Sequence, residues 1–459
     1  MKKLYAYLFV IAITVCSCIK QTEPTTIQKQ IDVHGQDGVE YLETSLSFEH
    51  AIGNANFIYN NTEGVAKKNR RIKNVELLSS DDLVHTTTTT RSENIDDRNI
   101  PLAYVVNYAD NQGYAILAAD VQLPPVIAVG DSGNFATDKF LSFVDNETAT
   151  RTNEELNPAE ELQYTMVNNS LTIFGEHTTR IGVPRPFPAV DTMMVLKCLP
   201  LVPTKWGQRA PYNYYSPLDA NGNKYLAGCV PVAGAQVLAS LCYHHNFWPT
   251  IAIDNEFEVN WYEINRMIFE DTYMFNSNDT SSDALNVAKL IRSIGKNINA
   301  DYNTNSTTAS TSDLVGLYTT LGIQSAQIRS SSDVTKNDLF DMIVRKNLPV
   351  NARADDENGT GGHSFILDGW LRLEYSQTGL HPEDMGNNFI VNFPNNTQYQ
   401  FDLVHVNFGW NGTCDGYYLP GAFDTSSNNF NEYAEENDND VIRSYKYNLN
   451  INYVTYELE

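Results

Sequence analysis

The chain has 459 residues, too many for one ordinary hydrophobic core, and 42% are apolar and 11% aromatic, which excludes a disordered or low-complexity protein. A formal charge of -25 and a pI near 4.7, with no basic patch to offset them, exclude general affinity for nucleic-acid phosphates or anionic membrane surfaces. Acidic runs at 355–357 and 435–440 read as solvated loops.

The N-terminus opens with Lys2-Lys3 and an apolar stretch over 4–15 that is too short to span a bilayer as a helix. Residues 1–18 are therefore expected to be a signal peptide. Its end, Val15-Cys16-Ser17-Cys18, resembles the lipobox of bacterial lipoproteins. That resemblance implies acylation of Cys18 and a protein at the bacterial cell surface or secreted, tethered to the outer or cytoplasmic membrane by lipid alone. Of six cysteines, Cys16 would leave with the signal and Cys18 would take the lipid, so Cys198, Cys229, Cys242 and Cys414 remain. They lack the C-x-x-C spacing of zinc or redox sites, and any pairing among Cys198, Cys242 and Cys414 stays open.

Residues 19–40 are polar and read as a tether. Ser47 is a plausible N-cap, with Phe48, Ala51, Ile52 and Ala55 at helical spacing behind it. Strands are expected over 103–108 and 114–118, joined by the turn residues Asp110-Asn111-Gln112-Gly113, and a third over 126–129 after Pro124-Pro125. These elements define a smaller α+β domain over 41–175 with no cysteine in it. Residues 176–200, which include Pro184, Pro186 and Pro188 behind Arg180, are expected to be an exposed linker open to proteolysis. The rest, 201–459, mixes helix and strand signals. Ser282 is expected to cap a helix that Gly295 stops, a further helix is expected over 335–345, and 388–459 reads as strands and loops.

Cys229 is the candidate nucleophile. Gly228 punctuates its entry, Pro231 suits a first helical turn and small apolar residues follow, so the thiol should sit at a helix N-terminus, where free amides favour thiolate. A thiolate that attacks an amide needs a proton donor for the leaving amine, a histidine's task near neutral pH. His363 follows Gly361-Gly362 and precedes an apolar run, which puts it at the start of a strand. His405 lies inside an alternating strand and is expected to be structural, and His244-His245 look like packing or surface residues. No metal-ligand spacing is present. Asp219-Ala220-Asn221-Gly222-Asn223 has its glycine at the wrong position for a calcium loop and reads as a turn.

Four blocks in order resemble the streptopain family of papain-like cysteine peptidases: Trp206-Gly207-Gln208 with Pro211-Tyr212-Asn213; Gly228-Cys229 through Gln236; Gly361-Gly362-His363 through Asp368-Gly369; and His405 through Gly412 with Asp415-Gly416-Tyr417-Tyr418. The N-terminal strands around Asn107, Gly113-Tyr114 and Gly133-Asn134-Phe135 are similar to that family's inhibitory propeptide. The resemblance implies an α+β fold, with a papain-like catalytic domain over 201–459 preceded by a propeptide domain that covers the cleft until it is cut away. It implies a cysteine endopeptidase with Cys229 and His363 as its catalytic pair and Gln208 as an oxyanion donor. Asn407 would orient the imidazole and Trp410 would shield the pair. No cofactor or metal is implied. The expected partners are protein or peptide substrates and the chain's own propeptide, with no nucleic acid, and the enzyme is expected to be a monomer.

The last block departs from the family: Phe408 stands where a tryptophan is usual and Asn411 where a glycine is. Two other readings compete, a Cys/His cell-wall amidase and a non-catalytic surface lipoprotein that binds or inhibits a partner protein. Amidases of that kind tend to be smaller and to carry wall-binding repeats. The intact set of Gln208, Cys229, His363 and Asn407 argues against a binding protein.

Overall fold

The computed structural model describes residues 46–62, 70–83, 100–119, 124–146, 157–177, 192–253, 257–303, 307–355, 362–376, 398–420 and 450–458. The signal, lipobox and tether, the prolines at 184–188, and residues 356–361 before the candidate histidine lie outside them. In the N-terminal part, α1 (Phe48–Thr62) is followed by strands β1 (Ile72–Ser79), β2 (Pro101–Tyr108), β3 (Tyr114–Ala118) and β4 (Val126–Gly130), then helices α2 (Thr137–Asn146) and α3 (Pro158–His177). Asp110 and Asn111 take positive φ in the β2–β3 turn, so the hairpin follows from its local turn chemistry. Phe135, Phe140 and Tyr164 meet in a mutual cluster, with ring centroids 5.3 to 5.7 Å apart, that seats both helices on this sheet.

Strand β5 (Thr192–Cys198) leads into helices α4 (Cys229–His245), α5 (Trp261–Phe269), α6 (Ser282–Asn297), α7 (Thr311–Thr320) and α8 (Lys336–Phe340). Around them lie strands β6 (Gln324–Ser330), β7 (Val350–Asp355), β8 (Gly362–Ser376), β9 (Gln398–Asn407), β10 (Gly416–Tyr418) and β11 (Asn450–Glu457). Ser281, rather than Ser282, caps α6, and the helix runs on through Gly295, where a Cβ would collide with the Tyr302 hydroxyl. The helix expected over 335–345 is α8, capped by a reciprocal Thr335–Asp338 box, continued by a π-helical turn over Asp341–Arg345.

One eleven-stranded sheet runs through both the N-terminal region and the C-terminal half, in the order β1-β2-β3-β4-β10-β9-β8-β7-β11-β6, with β5 also paired to β8. The junction is the antiparallel pair β4–β10, in register Gly416 to Gly130 and Tyr418 to Ala128. A Cβ on Gly416 would collide with the Val129 carbonyl, so the approach of the two strands depends on that glycine. Beside it Tyr114 and Tyr418 share a 2.6 Å hydroxyl hydrogen bond, and the Cys414 thiol donates to Gln163 of α3 at 3.2 Å. The linker expected over 176–200 is shorter than that: α3 reaches His177, and 192–198 is the strand β5, antiparallel to residues 370–375 of β8.

Helix α4 is the core of the C-terminal half. Every residue from Val230 to Cys242 is buried, as expected for a helix apolar on all sides. Burying each of its larger side chains, such as Leu238, contributes about 1.5–3 kcal/mol. The consequence for function is positional, because a helix held so rigidly aims its first residue.

Candidate active site

That first residue is Cys229. Gly228 ahead of it has φ +93°, and a Cβ there would lie 2.9 Å from the Thr307 Cγ2, so both backbone and space demand glycine. Thr307 donates to the Leu226 carbonyl at 2.7 Å, and the Ala227 N–H donates to the Gln208 carbonyl at 2.9 Å, which ties the entry loop to the segment carrying Gln208. The first helical hydrogen bond is Val232 N–H to the Gly228 carbonyl, and the amides of Cys229 and Val230 at the helix end bond no other backbone group among the described residues. Gln208 is 5% exposed, and its carboxamide makes no hydrogen bond to another described residue.

His363 enters from the sheet. It is the second residue of β8, in register with Ala354 of β7, and is 4% exposed. Its Nε2 donates to the Phe408 carbonyl at 2.7 Å. Nδ1 is buried and bonds no described residue other than Cys229, which leaves it as the ring nitrogen that serves the thiol. Burial alone would push that thiol up, but hydrogen bonding to His363, the charge on His363, the Ser364 N–H and the Arg353 guanidinium bring it down to about 7. Trp410 stacks over His363, with ring centroids 6.5 Å apart at 29°, and covers one face of the imidazole.

Asn407 lies in the same shell but does not touch the imidazole through its side chain. Its Nδ2 donates to the Thr204 carbonyl at 2.7 Å, and its Oδ1 accepts from Gln236 at 3.1 Å and from the Gly409 N–H at 3.1 Å. The imidazole meets a backbone carbonyl one residue further on. Gln236, two turns along α4 from the thiol, also accepts from the Thr204 hydroxyl at 3.0 Å and the Trp206 N–H at 3.1 Å. A glutamine in an otherwise apolar helix signals a buried hydrogen-bond network, and that signal was readable in the sequence. The Phe408 carbonyl was not, because every residue has one.

His405 is arranged differently. Its Nδ1 lies 2.7 Å from Asp368 Oδ1 and its Nε2 3.2 Å from Asp131 Oδ2, so neither nitrogen is available as a base. Burial would push this imidazole down, but the carboxylates of Asp368 and Asp131 raise it to about 10. Asp415 is also buried; burial pushes its carboxyl up to about 7 against the pull of Lys205, the Phe408 N–H and His405. His244 and His245 bond the carbonyls of Leu201 and Asn347. Asp219 accepts the N–H groups of Asn221 and Asn223, which makes that segment a turn. The four described cysteines are free thiols. Burial raises Cys198 to about 11 and Cys242 to about 12, so Cys229 alone among these three is tuned toward reactivity.

A polarised thiol at a helix N-terminus, an imidazole with one nitrogen held and one left to that thiol, and helix-end amides beside them can support nucleophilic attack on a carbonyl. Comparison with known proteins points the same way. Residues 206–418 match the model of the Peptidase C10 family, and residues 48–148 match that of the Spi protease inhibitor. Streptopain of Streptococcus pyogenes is 22% identical over 355 residues, which cover 71% of this chain and 75% of that protein. Among solved structures, a fragment of prointerpain A from Prevotella intermedia is 20% identical, with a TM-score of 0.48 over 83% of this chain and 98% of that one. The active wild-type interpain A cysteine protease of the same organism is 21% identical, with a TM-score of 0.36 over 57% of this chain and 95% of that one.

Proposed function

Because the chain is a C10-family cysteine endopeptidase with an inhibitor-type propeptide ahead of its catalytic half, we propose that Cys229 is its nucleophile and His363 its general acid and base. The thiolate of Cys229 adds to the peptide carbonyl carbon. The resulting oxyanion takes hydrogen bonds from the Cys229 N–H and the Gln208 carboxamide. His363, protonated at Nδ1, gives that proton to the departing amine as the C–N bond breaks and a thioester forms. Water, losing a proton to Nδ1, then attacks the thioester and releases the carboxylic product and the thiolate.

The observation that carries this reading is the buried Nδ1 of His363, left to a thiol lowered to about 7, with Nε2 anchored on the Phe408 carbonyl. Stacking of Trp410 on the imidazole supports a role in keeping water from the pair. Asn407 acts one step back, through the Gly409 N–H.

The enzyme is made as a zymogen, and its maturation is proteolytic, on the N-terminal side of β5, so that this strand stays in the catalytic sheet. Export through the signal over 1–18 and acylation of Cys18 would anchor the protein at the cell surface, where it acts as a monomer on protein substrates. The test is to express residues 19–459 as wild type and as Cys229→Ala and to incubate both with casein under reducing conditions, following the precursor by mass. Wild type should shorten ahead of Thr192 and digest casein, and Cys229→Ala should do neither. Casein cleavage by the Cys229→Ala protein would refute the assignment. Detergent partitioning of the exported chain, with and without Cys18→Ala, tests the anchor; equal partitioning would remove it.

A further inference from the structure

His363 is held by a backbone carbonyl, and a carbonyl is only as fixed as the peptides on either side of it. The Phe408 residue is clamped on both. The Gly409 N–H, at the other end of the peptide whose carbonyl accepts from His363, donates to Asn407 Oδ1 at 3.1 Å. The Phe408 N–H, on the preceding peptide, donates to Asp415 Oδ1 at 2.8 Å. Asp415 is 1% exposed, seven residues further along the chain, and reaches back across the turn formed by residues 408–415. A carboxylate withdrawn from water to accept a backbone N–H is a costly arrangement when a neutral acceptor would close a turn as well. The side chain of Phe408 is seated too, its ring stacked on Phe365 and edge-on to Tyr418.

From this geometry we propose that Asp415 is a positioning residue, which fixes His363 toward Cys229 by holding the Phe408 peptide whose carbonyl anchors the imidazole. It touches neither substrate nor thiol. The proposal rests on the reading of Cys229 and His363 as the reacting pair.

The test uses enzyme matured from the full chain, with iodoacetamide as the probe of Cys229 and labelled casein as substrate. Alkylation rate is followed against pH for wild type, Asp415→Asn, Asp415→Ala and His363→Ala. In wild type the rate should rise through about pH 7, the value to which the thiol is lowered. Asp415→Ala should move that rise toward the ordinary thiol value and lower kcat by about ten- to a hundredfold, the scale of a 1 Å misplacement, with KM little changed. Asp415→Asn keeps an acceptor but an uncharged, weaker one, and should fall between the two. A merely structural role would lower the melting temperature and leave the alkylation profile and kcat of Asp415→Ala as in wild type, which would overturn the proposal. If Asp415→Ala does not fold, Asp415→Asn decides, and a wild-type profile with wild-type kcat overturns it. His363→Ala separates the two readings: if it retains the rise near pH 7, the Cys/His assignment fails whatever Asp415 does.

Discussion

His363 and His405 sit on neighbouring strands of one sheet, are buried to nearly the same degree, and do opposite things. His405 has a carboxylate on each nitrogen, at 2.7 and 3.2 Å, and is held as a cation to about pH 10. His363 has one nitrogen on a neutral carbonyl and leaves the other to the Cys229 thiol. Burial does not distinguish a base from a brace; the number of occupied nitrogens does. The difference also divides the labour. On the proposed assignment the His363 region makes the chemistry; the His405 region joins the halves of the molecule, since Asp368 comes from β8 and Asp131 from the turn after β4, just where β4 meets β10.

The sharpest way to break this comparison is to remove each ring in turn. His363→Ala should lower kcat/KM on casein by about 10²–10⁴-fold, the usual worth of a general acid–base group, while the urea midpoint moves little. If activity survives within tenfold, the open nitrogen is not the base. His405→Gln should do the reverse. Removing one member of a buried ion pair leaves the Asp368 carboxylate uncompensated and costs about 3–5 kcal/mol, read as a lower urea midpoint in the Cys229→Ala background. The pH dependence has a definite sign. A pKa raised from 6.5 to about 10 means that the stabilisation from His405 is complete below pH 6.5 and lost as pH climbs through 10. His405→Gln and its parent should therefore converge in stability at the alkaline end, and a constant gap across that range would reject the cationic assignment.

These two histidines also mark how far the sequence could be read. His363 was distinguishable because a glycine-rich entry ahead of an apolar run is a local pattern, and Cys229 because Gly, Pro and small apolar residues around it are local helix-start signals. The β2–β3 hairpin was legible for the same reason, as turn chemistry acts within four residues. His405 could be read as structural from its place in a strand, but its partners could not, because Asp131, Asp368 and His405 meet only through the β4–β10 and β8–β9 pairings. Long-range strand pairing leaves no trace in local periodicity, so the sheet that joins the two regions could not be read in advance. The strand β5 was absorbed into the linker because its neighbours are prolines, although Thr192–Cys198 itself contains none. The anchor of His363 was expected from the Asn407 side chain and is instead a backbone atom of Phe408, which no residue type can announce.

A smaller effect tests how rigidly the His363 region is aimed. Gly228→Ala puts a Cβ where φ is +93° and Thr307 Cγ2 is 2.9 Å away, and should cost about 1–3 kcal/mol while slowing alkylation of Cys229. Thr307→Ser removes that methyl but keeps the hydroxyl that bonds the Leu226 carbonyl. Adding it to Gly228→Ala should restore the part due to crowding and leave the part due to backbone strain. Full restoration would mean that the backbone conformation carries no cost.

The smallest expected effect lies on the His405 side, at the residue through which the inhibitor-type region reaches it. The Asp131 carboxylate is 28% exposed; it meets His405 at 3.2 Å and Lys205 at 3.8 Å, and its N–H donates to the Asp415 carbonyl at 2.8 Å. Partial exposure screens the charge, so Asp131→Asn should cost no more than about 1 kcal/mol, and less at high salt. The loss should still be local. In the Cys229→Ala chain, amide exchange should quicken in residues 126–130 and 416–418, the two strands that join the halves, and stay unchanged in 230–242 of the central helix. In the active chain the same substitution should speed maturation without moving the pH at which Cys229 alkylates. Uniform quickening everywhere would make Asp131 an ordinary stabilising residue, and an altered alkylation pH would mean that the brace and the base are not separate after all.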